Sequence, residues 1–325
     1  MLHSVPLVEV WRGDFLESCH RGHVIVCNFD GEIVQAWGNP NHVILPRSSC
    51  KILQALPLVA SGAADSLGLT TRQLALSCAS HQGAEIHSNL VKSWLKDLGK
   101  TDDDFRCGSQ WPRDTEARNA MIKNDETPCR YHNNCSGKHS GFLTLSAHLG
   151  AGPDYHLPEH PVQKAILNIF EEVTGETSPG YGIDGCSAPN WACTIGGLAS
   201  AMARCAGNSS DILGLASARL RNAMMAHPDL VAGETRACTE LMDAAPGVAL
   251  KTGAEAVFTA IIPSKKMGVA IKIEDGAFRA SEAVITAILI RMGLLNAAHP
   301  AAVRRLGPIS NWDGLQIGSI SVVLD

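Results

Sequence analysis

Strand-like sequence stands at both ends of this 325-residue chain and helix-like sequence fills its middle, an order that few folds accommodate. Leu7–Trp11, Val24–Phe29 and Glu32–Trp37 are rich in Val, Ile and aromatic residues. Asp30-Gly31, between the second and third of these, tolerates the positive φ of a tight hairpin. Helical spacing then runs through Ser49–Gly62, Thr71–Cys78, Ala84–Leu98, Ala117–Lys123, Gly141–Leu149, Pro161–Val173, Trp191–Cys205 and Ile212–Ala226. Gly247–Lys251, Ala256–Ile262 and Gly268–Ile273 return to apolar, partly β-branched runs, followed by a helix Ser281–Met292 and a strand Ile317–Leu324. The simplest packing is an α/β fold of the α+β type. An antiparallel sheet from both chain ends is flanked by helices, beside an all-helical lobe. One domain, 1–325, is expected, with a sheet lobe at about 1–45 and 246–325 and a helical lobe at about 46–245.

Charge narrows the function. The chain carries 27 Lys and Arg against 32 Asp and Glu, a net of −5, so no excess of cations is available to neutralise nucleic-acid phosphates. Met1–Phe15 has no positive start followed by an apolar run, and Ala283–Leu295 is interrupted by Arg291 and too short to span a bilayer. A cytoplasmic protein without nucleic-acid or membrane partners is expected. Eleven cysteines at irregular spacing then read as reduced thiols, with Cys78, Cys193, Cys205 and Cys238 as small core residues.

Two short motifs carry serine chemistry. Ser48 and Lys51, in Pro46-Arg47-Ser48-Ser49-Cys50-Lys51, share a face at a helix start. A hydroxyl becomes a nucleophile once a base takes its proton, and a desolvated lysine can be that base. Alone, Ser48 reads equally as a helix cap, and a second Ser-x-x-Lys at Ser93–Lys96 lies on an ordinary amphipathic helix. Lys251-Thr252-Gly253 on a late strand, expected by chance about 0.04 times in such a chain, makes the pair informative. Ser-x-x-Lys with Lys-Thr-Gly is the pattern of penicillin-recognising serine enzymes. The backbone N–H groups of Ser48 and Ala254 then become candidate oxyanion donors.

Two polar loops remain. Ser80-His81 either completes a proton relay or ends a helix that Gly83 stops. Cys135, Lys138 and Cys186, with Asp184 two residues before the last, could hold zinc. Cys-x-x-Lys is not an ordinary zinc spacing, so spacing alone favours loop cysteines without metal. Gly180–Gly185 matches GxGxxG, but no strand precedes it, and no nucleotide site is expected there.

Taken together, Pro46–Lys51, Ser80-His81, Asn133–Gly141, Asp184–Pro189 and Lys251–Glu255 resemble the rhizobial-type (class 3) L-asparaginase family. The resemblance runs from Val8–Gly13 to Ala270–Gly276. It implies a serine-β-lactamase-like fold, a homodimer, and hydrolysis of L-asparagine to L-aspartate and ammonia. It implies two Ser–Lys pairs, Ser48 with Lys51 and Ser80 with Lys251. It also implies Zn2+ at Cys135, Lys138 and Cys186, with Asp184 behind them. Arg47 and His139 are further candidates for gripping the amino-acid head group. One departure stands out: the family often has Gly after the Glu of this last motif, and here the residue is Ala256. A glutaminase, a β-lactamase or peptidoglycan peptidase, and a zinc-dependent binding module are the alternatives.

Overall fold

A computed structural model describes residues 3–324, so Met1, Leu2 and Asp325 of the expected 1–325 domain lie outside the described part. The chain divides into two compact units. The first takes residues up to Ser49, Cys193–Gly207 and the stretch from Glu240 onward; the second takes Cys50–Ala192 and Asn208–Thr239. Residues 193–207, expected in the helical lobe, therefore group with the sheet.

The first unit is built on an eight-stranded antiparallel sheet. Its strands are β1 (Val5–Arg12), β2 (Phe15–Asn28), β3 (Ile33–Trp37), β4 (Ala249–Gly253), β5 (Val257–Ile262), β6 (Met267–Ile273), β7 (Ile309–Ser310) and β8 (Gln316–Val322). The order is β7-β8-β1-β2-β6-β5-β4, with β3 also on β2. Both chain ends thus meet in one sheet, as expected. β2 is the hub: residues 15–22 pair β1, and Gly22–Asn28 pair β6. Gly31 makes the β2–β3 turn at φ +85°, where its N–H meets Asn28 O at 3.0 Å.

Every residue of β5 is buried, which fits a strand covered on both faces and explains its unbroken apolar run. The helices Ile195–Ala206 and Phe278–Arg291 both pack on it. Contact with the first is backbone-close: a Cβ on Gly268 of β6 would lie 2.1 Å from Ala203 N. The expected helix Trp191–Cys205 is shorter at its start, because Thr194 caps Ile195–Ala206 by accepting the Gly197 N–H at 2.9 Å.

The second unit is helical. Lys51–Ala60 packs on Ser136–His148, Pro161–Thr174 and Ile212–Ala226, and its first nine residues are buried, Lys51 among them. Ser136–His148 begins five residues before the expected start at Gly141. Ser-Gly-Lys-His-Ser-Gly is a poor intrinsic helix former, so the helix here is held by burial, which covers all of Ser136–Ser146. Gly137 permits this: a Cβ there would sit 2.3 Å from Leu76 O. Among the described residues no helix is long and apolar enough to cross a membrane.

Candidate active site

In the sheet unit, the turn carrying Ser48 lies against the strand carrying Lys251. A Cβ on Gly253 would stand 2.6 Å from Pro46 O and 2.9 Å from Ser49 N. The Thr259 hydroxyl shares its hydrogen between Ser49 O at 3.1 Å and Lys251 O at 3.2 Å. Only glycine lets the two backbones approach so closely, which gives the Gly of Lys-Thr-Gly a physical role. Ser48 is half-buried in the 3-10 turn Arg47–Cys50, after an Arg47 held at φ +55°. Lys251 is buried, and its Nζ donates to Thr252 O at 2.7 Å. β4 ends at Gly253, and the carbonyl of the next residue, Ala254, accepts the Val257 N–H across a turn with Glu255 at φ +57° and Ala256 at φ +53°. Ala256, at the position where the resembled family often has glycine, thus takes a left-handed conformation.

In the helical unit, the 3-10 turn runs directly into the helix that starts with Lys51. Lys51 is sealed from solvent, and its Nζ donates to Ala79 O and to Cys135 Sγ, the latter at 3.2 Å. Ser80 follows Ala79; its N–H is fixed on Val231 O at 2.9 Å, and its hydroxyl is buried without a partner among the described residues. Its neighbour His81 does not join a relay to it. His81 Nδ1 accepts the Gly83 N–H at 3.2 Å, so Nε2 carries the hydrogen and donates to Ser136 Oγ at 2.9 Å.

Cys135, Lys138 and Cys186 come together in the same unit. Asn133 Oδ1 accepts the Cys135 N–H at 2.9 Å and sets the start of the helix. Lys138 follows one turn on and donates to Cys186 Sγ at 3.1 Å. Cys186 sits on a tight turn where the Ser187 N–H reaches Asp184 O at 2.9 Å and Ser187 has φ +70°. A hydrogen bond from Cys135, helped by the Lys138 charge, holds the Cys186 thiol well below its usual range. The same bond and burial push Cys135 up. Burial opposes a charge on Lys138, but Cys186, Cys135 and Asp184 outweigh it and keep its pKa above the ordinary lysine value. Burial also lifts Cys50 to about 12. His139 is fully buried, with Nδ1 2.8 Å from Tyr155 Oη. Tyr155, which meets His139, was not anticipated; it lies in a loop without a motif, and nothing in the sequence marks it.

A family model described as L-asparaginase II matches residues 8–322, nearly the whole chain. The chain belongs to the L-asparaginase II family. No curated protein matches it. Among solved structures, this L-asparaginase II family chain is similar to Mglu in its tris and glutamate form, at TM-score 0.51 and 10% identity over 86% of this chain. It spans 60% of that protein's length. A β-lactamase from Burkholderia vietnamiensis is also similar, with TM-score 0.40 and 15% identity over 83% of this chain and 93% of that one. The family model takes in all the anticipated site residues, from Arg47 to Ala254.

Proposed function

We propose that this chain hydrolyses L-asparagine to L-aspartate and ammonia through a serine acyl-enzyme. The observation that carries the reading is the L-asparaginase II match across residues 8–322. The packing of the Ser48 turn on the Lys251 strand supports it locally. In this scheme Ser48 Oγ attacks the side-chain amide carbon while Lys51 Nζ takes its proton. The backbone N–H groups of Ser48 and Ala254 hold the oxyanion. The C–N bond breaks as Ser80 and Lys251 pass a proton to the leaving nitrogen, which departs as ammonia. Water then attacks the ester, Ser48 recovers its proton, and L-aspartate leaves. Arg47 and His139 hold the amino-acid head group. A cytoplasmic homodimer is part of the same reading.

Zinc belongs to the proposal. Two thiols and one amine converge, and sulfur donors suit zinc. Among the described residues no group of three or more His, Cys, Asp or Glu could hold a metal, and the third donor in this proposal is Lys138. The residues fit provided Lys138 gives up its proton on loading. Cys135, Lys138 and Cys186 would hold the ion, with Asp184 behind them; it would orient the substrate, because two thiolates leave zinc a weak Lewis acid. Zinc content of the purified protein, and of Cys186→Ser, decides this part.

The test of function is ammonia release from L-asparagine and L-glutamine, with nitrocefin as a third substrate. Ser48→Ala is expected to lower turnover of L-asparagine by about three orders of magnitude or more. Near-wild-type turnover in Ser48→Ala removes Ser48 as nucleophile; faster release from L-glutamine makes the chain a glutaminase.

A further inference from the structure

Tyr155 and His139 are both fully buried in the helical unit. The Tyr155 hydroxyl accepts the Arg106 backbone N–H at 2.8 Å and stands 2.8 Å from His139 Nδ1. A phenol has a single hydrogen, and among the described residues the one acceptor it meets is His139 Nδ1. Nδ1 is therefore the acceptor, and the imidazole hydrogen sits on Nε2. That Nε2–H is buried and has no partner among the described residues. Buried donors in folded proteins are almost always paired, so an orphan of this kind calls for an occupant.

The ring has little freedom to turn away. Tyr155 lies 5.4 Å from it, Phe142 5.6 Å and Phe105 6.4 Å, between centroids. Tyr155 is itself anchored, since its carbonyl accepts Gln163 Nε2 at 2.8 Å. His139 also follows Lys138 directly on the helix Ser136–His148.

We propose that Tyr155 is a positioning residue that locks His139 as its Nε2–H tautomer, so that this hydrogen is offered to a carboxylate oxygen of the amino-acid substrate. The identity of the ligand rests on the asparaginase reading; the tautomer does not. A donor-only Nε2 reads an acceptor, so it selects the carboxylate end of the head group and cannot pair with the ammonium end. Without the phenol, Nδ1 loses its donor and the imidazole hydrogen is free to move to Nδ1.

Two measurements test this. Histidine-labelled protein gives the His139 tautomer from two-bond 1H–15N correlations, assigned with His139→Gln. The wild type is expected to show Nε2–H, and Tyr155→Phe a mixture or the opposite tautomer. In ammonia-release kinetics Tyr155→Phe is expected to raise KM for L-asparagine about tenfold with kcat within about twofold, the split that loss of uniform binding produces. In a His139→Gln background, Tyr155→Phe should add nothing further to KM. An Nδ1–H signal in the wild type overturns the proposal even if Tyr155→Phe fails to fold, and so does an unchanged KM in a folded Tyr155→Phe. An Nε2–H signal in a protein that releases no ammonia from L-asparagine sinks the functional reading and the ligand with it, while the tautomer lock stands.

Discussion

His81 and Lys51 show how the site handles polar groups sealed from solvent. His81 is fully buried, bonded at both nitrogens, and stacked on His87 with centroids 4.7 Å apart. Burial, then the neighbouring His87 and Lys51, hold its pKa well below the ordinary 6.5. Unfolded, the same imidazole binds a proton below that pH. Stability is therefore full above about pH 6.5 and falls as the pH drops below it, by up to about 1.4 kcal/mol per pH unit for each such histidine. His139, lowered in the same way, adds to the slope. Urea unfolding at pH 7.5 and 5.5 checks this; equal midpoints at the two pH values contradict a neutral His81. The motif residues were legible because Ser-x-x-Lys and Lys-Thr-Gly sit at fixed spacings. Tyr155 and Ala79 were not, since a phenol in a loop and a bare carbonyl leave no pattern in sequence.

Among elements, glycine spacing decides how closely helices pack. Gly137→Ala puts a methyl 2.3 Å from Leu76 O, a backbone atom that cannot step aside. It should destabilise by about 2 kcal/mol or more and displace Lys138, the next residue. Gly141→Ala meets the end of a flexible side chain, Leu58 Cδ2 at 3.3 Å, and Ser77 Cβ at an ordinary 3.5 Å, and gains helix propensity of about 1 kcal/mol, so it should be close to neutral. Thermal unfolding of the two variants compares them directly. The turn after β4 makes a second case. Glu255 and Ala256 both hold positive φ, where asparagine and glycine are at ease. Ala256 is fully buried, so a change to glycine would forfeit its methyl. Glu255 is exposed, and Glu255→Asn should raise stability by about 0.5–1 kcal/mol. A lower Tm in Glu255→Asn would mean that packing of the Glu255 carboxylate on Gly276 outweighs the backbone strain.

The order of elements along the chain was enough to read the fold class, because strands at both ends must find one another across a helical middle. Element limits were read less well, for two physical reasons. The first half of β2, Phe15–Gly22, is largely exposed and lacks the alternation of a core strand; it is held by its ladder to β1. The start of Ser136–His148 is helical against its own propensity. The sheet also sets a timetable for biosynthesis. β2 leaves the ribosome early, yet its partner β6 lies at Met267–Ile273, some 245 residues later. At about 5–20 residues per second that is a wait of roughly 12–50 s with an apolar strand edge exposed. The nascent chain is therefore a client for whatever shields unpaired strands during translation, long before the sheet can close.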